Sequence, residues 1–104
     1  MKIGIIQQSC SPNREANLQK LAANIATAAK AGAQLVVLQE LHNTPYFCQV
    51  ESTDNFDLAE PIPGPSTDFF GALAKEHGIV IVASLFERRA TGLYHNTAVV
   101  LERD

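Results

Sequence analysis

The sequence contains no tryptophan, one methionine and only two cysteines in 104 residues. Cys10 and Cys48 lie far apart and form no Cys-x-x-Cys pair, which fits a cytoplasmic protein with reduced thiols. No apolar run approaches the ~20 residues needed to span a bilayer. The N-terminus, MKIGIIQQ, passes directly into a strand-like pattern without a long apolar signal region. Positive charge is also sparse: eight Lys and Arg stand against eleven acids, for a net charge of -3. The basic residues are scattered apart from Arg88-Arg89, so nucleic acid and anionic membranes are not expected as partners. The three histidines and the acids show no metal-ligand spacing, and neither a metal nor another cofactor is expected. Low-complexity segments and fold-scale repeats are missing. The tripeptide His-Asn-Thr occurs at 42–44 and at 95–97, once in a loop and once in a strand, and is read as coincidence.

What is present is the composition of an ordinary globular domain, 46% hydrophobic and 18% charged. At this size about 65% of the unfolded surface is buried, so the core has little stability to spare. Lys2–Gln8 is a short Ile-rich run, followed by a break at Ser11-Pro12-Asn13 that offers N-cap residues. From Arg14 to Ala31, Leu18, Leu21, Ala22, Ile25, Ala28 and Ala29 recur at steps of three and four and predict an amphipathic helix, with Gly32 as its C-cap. Leu35–Leu38 is apolar at every position, as in a parallel strand covered on both faces. Residues 39–65 show neither period, carry four of the five prolines and are long for a loop, a class that is often functional. Ser66 or Thr67 is read as the cap of a second helix through Glu76, with Phe69, Phe70, Leu73 and Ala74 on one side and Gly78 closing it. Ile79–Glu87 and Leu93–Glu102, separated by a polar turn, predict an antiparallel hairpin. The order β-α-β-α-β-β therefore predicts an α/β fold with helices against a mixed sheet.

One residue stands out within this frame. In open α/β sheets ligands bind beyond the carboxyl ends of the strands, and Glu40 sits two residues past the end of the second one. Charged residues also end strands simply because water begins there. Pro45, Tyr46 and Phe47 follow and could wall the carboxylate from water, raising its pKa towards the range of a general base.

Taken in order, KIGIIQ, Asn17-Leu18 in the first helix, LVVLQEL, Tyr46 six residues after the glutamate, Pro-Gly-Pro-Ser-Thr, GIVIVASLFER and YHNTAVVL resemble the N-terminal part of the carbon-nitrogen hydrolases, the nitrilase superfamily. Within it, LQELHNTPYFCQ is most similar to the N-carbamoylputrescine amidases, enzymes of polyamine biosynthesis. The resemblance covers the chain and implies that residues 1–104 are the N-terminal portion of a single hydrolase domain with a four-layer α-β-β-α sandwich. It implies a Glu-Lys-Cys catalytic set, of which only the glutamate can be placed, on Glu40. The lysine and Cys-Trp motifs do not occur in these 104 residues, so this portion alone is expected to be inactive. In similar enzymes Tyr46 corresponds to an aromatic position near the pocket, with packing of the loop as the alternative reading. The implied partner is a small carbamoyl-amine or amide, and similar enzymes are commonly homo-oligomers.

Other residues carry less. Cys10 and Cys48 lack the family's Cys-Trp context and are read as incidental. Phe47 is read as packing, His42 as a surface residue, and His77 as a helix-terminal residue facing exposed carbonyls. Two competing readings are a non-catalytic α/β binding module and an inactive family remnant. Against the first, QQSCSPNRE after strand one offers no Gly-x-Gly-x-x-Gly phosphate cradle. With only part of a two-sheet sandwich present, a sheet face would lack its cover, and an isolated 104-residue chain is expected to associate or to be marginally stable.

Overall fold

Alternation at the N-terminus sets the first strand. In β1, Ile3–Ile6, Ile6 turns into the core while Ile3 and Ile5 remain 55% and 77% exposed. A computed structural model describes residues 1–9, 13–39, 59–90 and 93–103. The elements run β1, α1 (Arg14–Lys30), β2 (Leu35–Leu38), α2 (Pro65–His77), β3 (Val80–Ala90) and β4 (Leu93–Leu101). The order β-α-β-α-β-β expected from the sequence is the observed one.

The sheet order is β1-β2-β3-β4, with the first three strands parallel and β4 antiparallel to β3. Two successive crossovers that step in the same direction with the same hand place both helices on one face. Burial agrees: Leu21 and Ile25 of α1 and Phe70 and Ala74 of α2 are fully buried together with Val36 and Ile81 of the sheet. Each large apolar side chain removed from water in this way contributes about 2–3 kcal/mol before the entropy of ordering it is subtracted. Phe69 meets Phe70 edge to face at 5.0 Å, and Leu18, Ala28, Ala29 and Leu73 pack around this core as their periodicity predicts. The opposite face of the sheet carries Ile3, Ile5 and Val100, the last 60% exposed, and no described element covers it.

The helix ends differ in detail from the sequence expectation. Asn13 caps α1, its Oδ1 accepting from the Ala16 N–H at 3.1 Å. The C-cap is Ala31, and Gly32, with φ 99°, takes the left-handed position one residue later. At α2 neither Ser66 nor Thr67 is the cap. Pro65 occupies the first helical turn, where a missing N–H costs nothing, so the cap moves back to Gly64, whose N–H donates to Thr67 Oγ1 at 2.7 Å. Gly78, with φ 64°, closes α2 as expected, and His77 is the last helical residue.

Candidate active site

The parallel strands bring their carboxyl ends to one rim. Register pairs Ile6 with Leu38, so Gln7, Gln8 and Ser9 leave β1 beside Gln39 as it leaves β2. Gln8 ties the two exits together: its backbone N–H donates to Gln39 Oε1 at 2.7 Å. Its side chain is itself held by α1, accepting from Asn24 Nδ2 at 2.8 Å and donating to the carbonyl oxygen of the buried Asn17 at 3.5 Å. Lys20 Nζ donates to the Ser9 carbonyl oxygen at 3.2 Å, fixing the next residue. Gln7, Gln8, Ser9 and Gln39 line an open recess of about 470 Å³. Its described walls are neutral amides and a hydroxyl, groups able to hydrogen-bond an amide or ureido ligand.

The base expected from the sequence, Glu40, is the residue after Gln39 in the chain. Glu40 and Tyr46 lie outside the described residues, as do His42, Phe47, Cys10 and Cys48. Among the described residues no cluster of histidine, cysteine or acidic side chains could hold a metal ion.

A second polar cluster on the same rim was not anticipated. Glu60 is 6% exposed, although it lies within the long aperiodic segment 39–65. Its backbone forms a parallel bridge to β3, donating to the Phe86 carbonyl at 3.0 Å and accepting from the Arg88 N–H at 2.7 Å. The opposite edge of β3 is occupied by β4, so Glu60 lies on the edge used by β2. β2 pairs with β3 only over Val80–Val82, and Glu60 faces Glu87, five residues further along. At 3.3 Å per residue this is about 16 Å of strand. Among the described residues, Glu60 thus joins the same edge of β3 beyond the end of β2.

The Glu60 carboxylate is satisfied from two helix starts. Oε1 accepts from the Ser66 N–H at 2.9 Å, and Oε2 accepts from Ser66 Oγ at 2.8 Å and from the Arg14 guanidinium. Arg14 also donates to Ser66 Oγ at 3.0 Å. An acid at the N-terminus of α2 is favoured by the helix dipole and by the otherwise unpaired N–H groups of the first turn. The sequence signal was a lone glutamate set among apolar residues and prolines, LAEPIPGPS, directly before a helix start. A charge in such surroundings is buried only when it is paired.

Comparison with known proteins agrees with the architecture. The model of the carbon-nitrogen hydrolase family matches residues 2–104. Among curated relatives, a citrullinase from Francisella tularensis is 36% identical over 101 residues, covering 96% of this chain and 35% of that protein. An omega-amidase from Xenopus laevis is 36% identical over 99% of this chain and 36% of its own length. An N-carbamoylputrescine amidase from Oryza sativa is 33% identical over 100% of this chain and 35% of its own length. The crystal structure of a carbon-nitrogen hydrolase from Helicobacter pylori superposes with a TM-score of 0.91 at 42% identity, covering 98% of this chain and 35% of that one. The chain therefore spans about a third of the length of the relatives it matches.

Proposed function

Because the chain belongs to the carbon-nitrogen hydrolases and has their fold, we propose that the whole protein hydrolyses a non-peptide carbon-nitrogen bond in a small carbamoyl-amine or amide, with N-carbamoylputrescine as the first substrate to test. In this reading residues 1–104 are the N-terminal portion of one hydrolase domain, and Glu40 is the base of a Glu-Lys-Cys set whose other members lie outside these residues. The observation that carries it is the position of Glu40: it directly follows Gln39, which lines a recess at the carboxyl rim of a sheet of this family. The amide-bearing walls suit a ureido group, which offers both N–H donors and a carbonyl acceptor.

The chemistry assigns each group a task. Glu40 takes the thiol proton as sulfur attacks the carbamoyl carbon, and gives that proton to the departing ammonia. The resulting thiocarbamate is cleaved by a water that Glu40 deprotonates, releasing the thiol and a carbamic acid, which splits to putrescine and carbon dioxide. The lysine stabilises the oxyanion at each tetrahedral stage, a contribution of roughly 3 kcal/mol for a single donor in other enzymes. Tyr46 is proposed to pack its ring against the substrate chain and to offer its hydroxyl to it. The family acts without a cofactor in this scheme, and a cytoplasmic homo-oligomer working in polyamine biosynthesis is the setting we propose; no described helix is long and apolar enough to cross a membrane.

The test is ammonia release by the whole protein from N-carbamoylputrescine, citrulline and an ω-amide in parallel. Glu40→Gln keeps the shape and removes the base, and turnover is expected to fall by about 10²–10⁴-fold. Near-normal release by a folded Glu40→Gln protein would refute the assignment. Turnover of the ω-amide in preference to both ureido compounds would replace the substrate class.

A further inference from the structure

We infer that Gln7 is a specificity-determining residue for the proposed reaction: its side-chain amide hydrogen-bonds the amide or ureido group of the substrate in the recess at the β1 and β2 exits. The inference rests on the hydrolase reading above and deepens it. The hydrogen bonds of the residues that line the recess divide them into two kinds. Gln8 is committed to the fold through its N–H and both ends of its side chain: the N–H donates to Gln39 Oε1, the side-chain oxygen accepts from Asn24, and the side-chain nitrogen donates to the Asn17 carbonyl. Gln39 is anchored by the first of these bonds. Ser9 receives Lys20 Nζ on its carbonyl oxygen at 3.2 Å and on Oγ at 3.4 Å, which occupies one lone pair of the hydroxyl and directs its O–H elsewhere. Gln7 differs. It is exposed, and among the described residues neither end of its side-chain amide has a partner.

Alternation along the strands sets the direction of each side chain. Ile6 is buried on the face that the helices cover, and Gln8 reaches Asn17 and Asn24 of α1 on that same face. Gln7, between them, belongs with the exposed Ile3 and Ile5 on the open face. On β2 Leu38 is buried, so Gln39, one residue beyond the Ile6–Leu38 pair, belongs to the open face as well. The two amides therefore leave neighbouring strands, about 4.8 Å apart, on one side of the sheet, one tied to the fold and one available to a ligand. A primary amide or ureido group carries N–H donors and a carbonyl acceptor in one plane. Gln7 offers the complementary donor and acceptor, and the Ser9 O–H adds a donor for the carbonyl oxygen. None of the four lining side chains is charged, so the recess suits the neutral amide or ureido end of a substrate. An analogue without N–H groups leaves the Gln7 acceptor unpaired, which is the basis on which such a contact discriminates.

The experiment is steady-state ammonia release by the whole protein from whichever of N-carbamoylputrescine, citrulline and an ω-amide the parent turns over, with thermal unfolding measured alongside. Gln7→Met keeps the length of the side chain and removes both of its hydrogen-bonding ends. It is expected to raise KM about tenfold and to lower kcat by a smaller factor, because a substrate contact is lost and not a reacting group. The unfolding temperature should stay near that of the parent, since the Gln7 side chain is exposed and has no described partner to lose. Ser9→Ala removes the second donor and should raise KM in the same sense by a smaller factor. A KM equal to the parent's in the folded Gln7→Met protein, or a fall in kcat with KM unmoved, would overturn the inference. If the parent releases no ammonia from any amide or ureido compound, the hydrolase reading falls and this one falls with it; an active parent whose Gln7→Met variant keeps the same KM overturns the inference alone.

Discussion

Three glycines in and around α2 separate the effects of helix propensity, backbone conformation and steric room, and they predict stability changes of opposite sign. Gly71 lies within the helix, and a Cβ built on it meets nothing within 4 Å. Gly71→Ala removes the entropic penalty of glycine at no packing cost, a gain of about 0.8–1.0 kcal/mol. Gly78 also has open space, but at φ 64° an added Cβ brings the left-handed strain of roughly 1–2 kcal/mol. At Gly64 the obstacle is contact: the Cβ would overlap the carbonyl oxygen of Pro61 and lie 3.2 Å from its carbonyl carbon. Both are backbone atoms of the turn following Glu60, so no side chain can swing aside, and relief needs a shift of the cap held by Thr67 Oγ1. Overpacking of this kind costs about 1–3 kcal/mol, which places Gly64→Ala some 2–4 kcal/mol below Gly71→Ala. In a domain of 150–250 residues each kcal/mol moves the midpoint by about 2–4 °C, so thermal unfolding of the whole protein followed by circular dichroism resolves the order. A Gly71→Ala protein less stable than its parent, or a Gly64→Ala protein as stable as Gly71→Ala, would refute the reasoning.

Two further outcomes follow from the fold. Asn13→Ala removes the side-chain acceptor of the Ala16 N–H and should cost about 1 kcal/mol in urea unfolding, with Asn13→Ser recovering most of it. The isolated 104-residue chain should self-associate through the sheet face bearing Ile3, Ile5 and Val100, and an Ile5→Lys chain should shift towards monomer in sedimentation velocity; a monodisperse parent would contradict this.

The elements that sequence reasoning found are those whose cause is local. Leu35–Leu38 is apolar at every position because it is the interior strand of a parallel group, and the steps of three and four in α1 and α2 mark the faces that meet the sheet. Gly78 marks a helix end because few other residues take its conformation. What escaped was set by partners distant in sequence. The α2 start was read from Ser66 and Thr67 as capping types, yet Ser66 faces inward to Glu60, six residues back, and to Arg14, fifty-two back. Asn17 sits on the buried face of α1, where periodicity counts only apolar residues. The expectation at Glu40 has another basis: it rests on a place after a strand in an order of motifs that resembles the family's, and Glu40 lies outside the described residues.

The unequal lengths of the strands explain why the site belongs on this rim. β3 has 11 residues and β4 follows it for nine, whereas β1 and β2 have four each. The hairpin therefore projects beyond the parallel strands at their carboxyl ends. Among the described residues β2 ends at Leu38, and further along the same edge Glu60 pairs with Phe86 and Arg88. A one-residue bridge has too few hydrogen bonds to hold itself, and the ion pair with Arg14 and the two donors of Ser66 provide the anchorage that a longer strand would have had. The recess beside Gln39 and the Glu60 cluster thus both lie at the carboxyl ends of the parallel strands, where β1 and β2 stop and β3 runs on.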